Sequence, residues 1–250
     1  MSDGRPFALS IAGFDPCGGA GILADIKTFE LNKVQGLGVC TALTFQNDIS
    51  FHAVKWINSE DILKQIDVLF ERFKINCVKI GLIENLIILK TIIGHLKKLN
   101  SEVKIIWDPI VKASAGFIFH SEIKKDDLQE ICNDIFLITP NMEEIKFFYN
   151  DIPAQEAAES LSEYTNVFLK GGHTPATMIK DILWEKKEKQ VFVSNKIASD
   201  KRGTGCVLSA AILAGLAKGY SLQESCRQSK SYVTSYIKSN HSLLGYHFHE

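Results

Sequence analysis

The feature that most limits what this chain can fold into is a recurrence: a short apolar run, a loop of small or polar residues, then a helical stretch. Residues 7–13, 36–45, 77–80, 103–107, 136–139 and 167–170 are runs of this kind. Strands buried on both faces read as near-continuous apolar segments, whereas half-exposed strands alternate. Helical stretches follow at residues 22–29, 59–73, 85–99 and from Asn141 onward. Ser59 reads as the N-cap of the second, with Glu60 and Asp61 in its first turn. This alternation predicts an α/β fold, a mostly parallel sheet covered by helices on both faces. Residues 51–57 alternate as an edge strand or flap does, and residues 181–184 and 190–193 suggest a late hairpin. Residues 204–218 and 222–238 are mostly helical in character.

Open α/β sheets bind their ligands outside the carboxyl ends of the strands. Asp15, Gln46, Leu82, Asp108, Asn141 and Lys170 all fall at such ends. The first loop, Phe14-Asp15-Pro16-Cys17-Gly18-Gly19-Ala20-Gly21, lacks the G-x-G-x-x-G spacing of a dinucleotide fingerprint and suggests a close-fitting small ligand. One turn into the next helix, Asp25 either faces that ligand or is an ordinary exposed carboxylate. Gln46 can donate and accept at once, which suits a heteroaromatic ring carrying an amino group, although a polar turn residue is the plainer reading.

Near the other end, Lys201-Arg202-Gly203-Thr204-Gly205-Cys206 runs straight into a long helical stretch. Glycines allow close backbone approach, and the first turn of a helix carries unpartnered N–H groups at the positive end of the dipole. The segment therefore reads as an anion hole for a phosphoryl group, with Cys206 at its mouth. By itself it reads more readily as a turn into a buried helix, with Cys206 a small core residue.

At 250 residues, the chain is long enough for one large α/β domain spanning 1–250. A net charge of −1 excludes a basic field for nucleic acid, and no apolar run reaches membrane-spanning length. The N-terminus has no signal-peptide core, and six cysteines without a C-x-x-C pair fit free thiols in a reducing cytoplasm.

Seven segments in order, "SIAGFDPCGGAGILADIKTF", "TALTFQN", "VKIGLI", "WDPI", "LITPNMEE", "LKGGH" and "GTGCVLSAAI", resemble the hydroxymethylpyrimidine/phosphomethylpyrimidine kinases of thiamin synthesis, within the ribokinase superfamily. The resemblance covers nearly the whole chain and implies a ribokinase-like three-layer α/β/α sandwich. It implies an ATP-dependent phosphotransferase acting on 4-amino-5-hydroxymethyl-2-methylpyrimidine and its monophosphate, with Mg2+, and a homodimer. Gly13, Ala20, Asp25, Gln46, Leu82 and Ile110 match positions that line the family's pyrimidine pocket, Leu82 where methionine is usual and Ile110 where valine is usual. Asn141 and Glu144 match the N-x-x-E that orders magnesium and its waters, and Lys170 lies on the nucleotide side. Gly203, Thr204 and Gly205 form the anion hole, and Cys206 takes the place of ribokinase's aspartate base. A helix N-terminus can lower a thiol from its usual pKa of about 8.5, so a thiolate near neutral pH is feasible at Cys206.

Departures from the family pattern are Phe14 and Cys17 in the first loop, Asp48 after Gln46-Asn47, Arg202 in place of histidine, and Lys112 in a lid over residues 110–116. The nearest alternative is a vitamin B6 kinase, whose substrates are also flat heteroaromatics with a hydroxymethyl group. Residues 110–116 lack the cysteine with which pyridoxal-active relatives trap the aldehyde. A non-catalytic pyrimidine-binding regulator is the alternative from another class. His247 and His249 sit at chelating spacing in a terminal tail, weak grounds for a metal site.

Overall fold

The apolar runs become strands, and the strands pair side by side in one nine-stranded sheet. A computed structural model describes residues 4–112, 119, 123–172 and 177–248. Its elements, in chain order, are β1 (Phe7–Phe14), α1 (Gly21–Leu31), β2 (Gln35–Gln46), β3 (Phe51–Trp56), α2 (Ser59–Arg72), β4 (Cys77–Ile80), α3 (Leu86–Leu99), β5 (Lys104–Trp107), α4 (Lys125–Asp134), β6 (Leu137–Ile138), α5 (Met142–Phe148), α6 (Ala154–Leu161), β7 (Asn166–Leu169), β8 (Met178–Glu185), β9 (Glu188–Asn195), α7 (Thr204–Ala217) and α8 (Leu222–Lys238). The sheet order is β3-β2-β1-β4-β5-β6-β7-β8-β9. Pairing is parallel from β2 to β7, while β3, β8 and β9 are antiparallel to their neighbours. The expected edge strand and late hairpin are both present.

The period-two alternation of each strand sorts its side chains between two helical layers. Leu9, Ile11, Val78, Ile80, Ile105 and Trp107 pack with α2, α3, α4, α5 and α6. Ala8, Cys77, Ile106 and Phe168 pack with α1, α7 and α8 on the opposite face. The three-layer α/β/α sandwich is therefore the observed fold. Helix α7 is buried continuously from Cys206 to Leu216, between the sheet and α8. No helix among the described residues is long and apolar enough to cross a membrane. All six cysteines are free thiols.

Boundaries shifted in places. Asn58, rather than Ser59, caps α2: its side chain accepts from the Asp61 N–H, which leaves Ser59 as the first helical residue. Helices α4 and α6 were not anticipated; each is short and held by a few buried residues such as Leu128 and Ile131, or Ala157 and Ala158. Most of the expected lid, from Ala113 on, lies outside the described residues, as do His173 and His249.

From β1 the chain moves outward through β2 and β3, then returns to lay β4 on the other side of β1. The order thus reverses at β1, which opens a crevice at the carboxyl ends of β1 and β4.

Candidate active site

The crevice is walled by residues from both strands. A Cβ built at Gly13, near the end of β1, would stand 3.0 Å from Leu82 Cδ2, so glycine there leaves the space that Leu82 fills. Leu82 is held by β2: Thr41, the extra residue where the β1–β2 register slips, donates its hydroxyl proton to the Leu82 carbonyl at 2.6 Å. Beyond it, Thr44 donates to the Phe14 carbonyl at 2.8 Å, and Gln46 Nε2 donates to Thr44 Oγ1 at 2.9 Å. Ile110 stands close by, its Cδ1 3.8 Å from a Cβ built at Gly81.

The first glycine loop is organised by Asp15, which is almost fully buried. Its Oδ1 accepts from the Cys17 N–H, and its Oδ2 accepts from the N–H groups of Gly19 and Ala20 at 3.0 and 2.9 Å. Gly21 and Gly203 both have positive φ, at 58° and 68°. A side chain at Gly21 would drive into the Gly13 carbonyl, and one at Gly203 into the Gly19 carbonyl. Glycine is required at both places, and the two glycine loops are thereby packed against each other. Helices α1 and α7 start here without a side-chain cap. Of the other helices, α2, α3, α5 and α8 are capped by Asn58, Asn85, Asn141 and Ser221, while α4 and α6 also begin without a side-chain cap. Uncapped first-turn N–H groups are what an anion hole needs.

Cys206 lies in the first turn of α7 and is buried. Burial pushes its thiol up to about 11, while Lys79 pulls it down, Asp108 and Asp25 push it up, and a bond from the Gly21 N–H pulls it down. The reading of a thiolate near neutral pH is thus corrected: desolvation outweighs the helix N-terminus and the nearby ammonium.

Asp25 is corrected as well. It is fully buried and presents no free carboxylate to the crevice. Both oxygens accept from Lys79 Nζ at 2.8 Å, and Oδ2 also accepts from Ser10 at 2.6 Å. Lys79 itself is fully buried, projecting from β4 towards the α1–α7 layer. Burial opposes its charge, but Asp25, Cys206 and Asp108 hold the ammonium above the usual lysine range.

A second charged cluster links the sheet to the α7 terminus. Asp108 accepts from Lys170 Nζ at 2.8 Å and from the hydroxyls of Thr139 and Ser209 at 3.0 and 3.1 Å. Burial works against its charge, yet Lys170 and Lys79 hold it below the usual carboxylate range. Lys170 also lies 3.7 Å from Glu144, and its ammonium is 3.4 Å from a Cβ built at Gly205. Lys170 therefore stands beside the start of α7. Asn141 and Glu144 form a capping box for α5: Asn141 Oδ1 accepts from the Glu143 and Glu144 N–H groups, and Glu144 Oε2 accepts from the Asn141 N–H at 2.7 Å. Burial pushes Glu144 up to about 7 against the pull of Lys170. Among the described residues, no group of three or more His, Cys, Asp or Glu is arranged to hold a metal ion.

Two departures from the family pattern meet in one contact, where Arg202 Nε donates to the Asp48 carbonyl at 2.7 Å and ties the start of α7 to the β2–β3 turn. Lys201 donates to the Asn240 and Ser242 carbonyls, and Leu244 packs over Gly19, so the C-terminal tail braces both glycine loops from behind. His247 packs on Tyr236 and bonds the Tyr232 hydroxyl, a structural place. Asp15 and Asp108 stand at the strand ends where the sequence put them, whereas Lys79, Thr41 and Thr44 belong to the site without having been singled out from sequence. The one signal for these three was a lysine inside the otherwise apolar run 77–80.

The chain is similar to known proteins along nearly its whole length. A hydroxymethylpyrimidine/phosphomethylpyrimidine kinase of Aquifex aeolicus is 35% identical over 94% of this chain and 96% of the relative. The crystal structure of a phosphomethylpyrimidine kinase from Clostridium difficile 630 superposes with a TM-score of 0.79 at 33% identity, covering 93% of this chain and all of that one. An ADP complex of Bacillus subtilis pyridoxal kinase superposes with a TM-score of 0.83 at 26% identity, over 96% of this chain and 94% of that one. The phosphomethylpyrimidine kinase family model spans residues 15–249, from the first glycine loop to the end of the tail, and the chain belongs to that family.

Proposed function

We propose that this chain transfers the γ-phosphoryl group of ATP to 4-amino-5-hydroxymethyl-2-methylpyrimidine and then to its monophosphate, in thiamin biosynthesis. The observation that carries this reading is the meeting of the crevice at the ends of β1 and β4 with an uncapped helix start. Gly13 and Leu82 face each other at the first, Gln46 joins it through Thr44 and Phe14, and Gly203, Thr204, Gly205 and Cys206 make the second. The names of the relatives in Aquifex aeolicus and Clostridium difficile support the same substrate class.

In this mechanism Gln46 reads the ring's nitrogen and amino group, and Leu82 and Ile110 pack against the ring. Ala20 and Gly13 let the ring approach the main chain closely. The first-turn N–H groups of α7 face the charge that develops on the transferred group, and Lys170 adds a cation beside them. Cys206, in its thiolate form, accepts the proton of the attacking hydroxymethyl oxygen and becomes the thiol. Asp25 acts from beneath, by holding Lys79 under the thiol.

Magnesium fits the donor set at Asn141 and Glu144, which offers oxygen ligands beside a buried lysine and no complete protein cage. Such a set suits an ion held through water and phosphates. When bound, magnesium neutralises phosphate charge.

A vitamin B6 kinase is the second reading, favoured by the likeness to the Bacillus subtilis pyridoxal kinase. Competition between the aminopyrimidine and pyridoxal, with ADP release as the readout, separates the two. A kcat/KM at least about tenfold higher for the aminopyrimidine is expected. A preference for pyridoxal overturns the reading, and pyrimidine binding without ADP release would instead identify a regulator.

The same reading places the enzyme in the cytoplasm as a homodimer. The outer edge of β3 ends the sheet, and Leu43 and Phe45 are exposed on the neighbouring strand. A solution mass near twice 27.9 kDa is expected from sedimentation or light scattering, and a one-chain mass would refute the dimer.

A further inference from the structure

We infer that Thr44 is a specificity-determining positioning residue: it fixes which way round the Gln46 amide faces, and so makes the crevice select a 4-aminopyrimidine over a 4-oxopyrimidine. The inference rests on the pyrimidine reading above and deepens it.

The argument is one of hydrogen-bond direction. A main-chain carbonyl can only accept, so the bond from Thr44 Oγ1 to the Phe14 carbonyl, at 2.8 Å, commits the single hydroxyl proton of Thr44. What remains on Oγ1 is lone pairs. Gln46, whose amide lies 2.9 Å away, must therefore turn its NH2 group, and not its oxygen, towards Thr44. An amide in the opposite sense would set two acceptors against each other at a buried hydroxyl, since Thr44 is only 7% exposed. The relay Gln46 → Thr44 → Phe14 thus resolves an orientation that an isolated glutamine would leave to either sense.

The strand geometry brings this about. Successive side chains of β2 alternate, so Thr44 and Gln46 share one face with Ala42, which pairs with Gly13 at the crevice. The β2–β3 pairing slips between Phe45 and Gln46, with His52 as the extra residue, just where the amide leaves the ladder.

With one N–H held by Thr44, the free edge of the amide has a fixed order, its second N–H on the Thr44 side and Oε1 on the other. In a 4-aminopyrimidine, an acceptor ring nitrogen adjoins a donor amino group and matches that edge. In the 4-oxo form, the ring N–H adjoins an acceptor oxygen, so both pairings are reversed. The hydroxymethyl group, anchored at the start of α7, prevents the ring from turning over to compensate. Buried donors and acceptors left without partners are the strongest source of discrimination between isosteric substrates.

The test compares kcat and KM of the full chain for hydroxymethylpyrimidine and for its 4-oxo analogue. Thr44→Val removes the hydroxyl with little change of shape and lets the amide turn. It is expected to raise KM for the aminopyrimidine about tenfold, with kcat within about twofold, and to lower the amino-over-oxo preference by about tenfold or more. Thr44→Ser keeps the hydroxyl and is expected to keep the wild-type preference. Should Thr44→Val fail to fold, Thr44→Ala carries the same expectation. An unchanged preference in the hydroxyl-free variant overturns the inference, and so does an equal rise in KM for both analogues. A wild-type enzyme that ignores both pyrimidines defeats the substrate reading itself, and the inference with it.

Discussion

Replacing Cys206 with alanine is expected to lower kcat by about 10²- to 10⁴-fold while leaving KM within about threefold, the range a positioned proton acceptor contributes. The thiol stands at the uncapped start of α7, beside the glycines proposed to face the phosphoryl group. The buried surroundings that push it up to about 11 also give the pH dependence. If the deprotonated thiol is the active form, its population grows with pH throughout the range below about 11. kcat/KM, which reports the free enzyme, should therefore climb from neutral into alkaline pH with a slope near one on a logarithmic plot. In Cys206→Ala the rise should vanish, because no group is left to titrate there. Steady-state rates between about pH 6 and 9.5 decide the matter. A mutant that keeps both the wild-type kcat and the wild-type slope would remove Cys206 from the proton transfer.

How much of this site was legible in the sequence depends on the distance over which each interaction acts. The glycine loops, the strand ends and the start of α7 are local features, marked by residue types that turns and helix starts require. They were readable, as was the layered sheet, because strand burial is written into continuous apolar runs. The groups that set the electrostatics were not. Lys79 meets Asp25 across 54 positions of chain, Asp108 meets Lys170 across 62, and Ser209 reaches Asp108 across 101. In a linear reading Lys79 is one polar residue in a four-residue run, and nothing local says that Asp25 turns inward to meet it. The misjudged state of Cys206 has the same origin. A helix N-terminus is visible in sequence and lowers a thiol, but the depth of burial that raises it is a property of the assembled layers. Thr44 was hidden differently: hydroxyl residues in strands are common, and its meaning lies in the direction of two hydrogen bonds.

Lys79→Met is expected to lower the unfolding free energy by about 3–5 kcal/mol, the cost of leaving one member of a buried ion pair alone. For a chain of this size that corresponds to a fall in Tm of roughly 6–20 °C. Both partners are fully buried, so solvent does little to relieve the Asp25 carboxylate once its ammonium is gone. Methionine fills most of the lysine's volume, which keeps the loss electrostatic rather than one of packing. Combining Lys79→Met with Asp25→Asn removes both charges, retains a polar partner for Ser10, and is expected to recover most of the stability. Calorimetry on the two variants measures this, and a double variant no more stable than the single one would contradict the pairing. Recovery of the fold should not restore the reaction. Lys79 is the main group that pulls the Cys206 thiol down against burial, with Asp25 pushing the other way more weakly. Without the lysine the thiol moves further up, so the double variant should fold yet turn over slowly, with its alkaline rise displaced to higher pH. One buried lysine thus serves two ends: it neutralises a carboxylate between the sheet and α1, and it supplies the positive charge that a thiolate at the start of α7 requires.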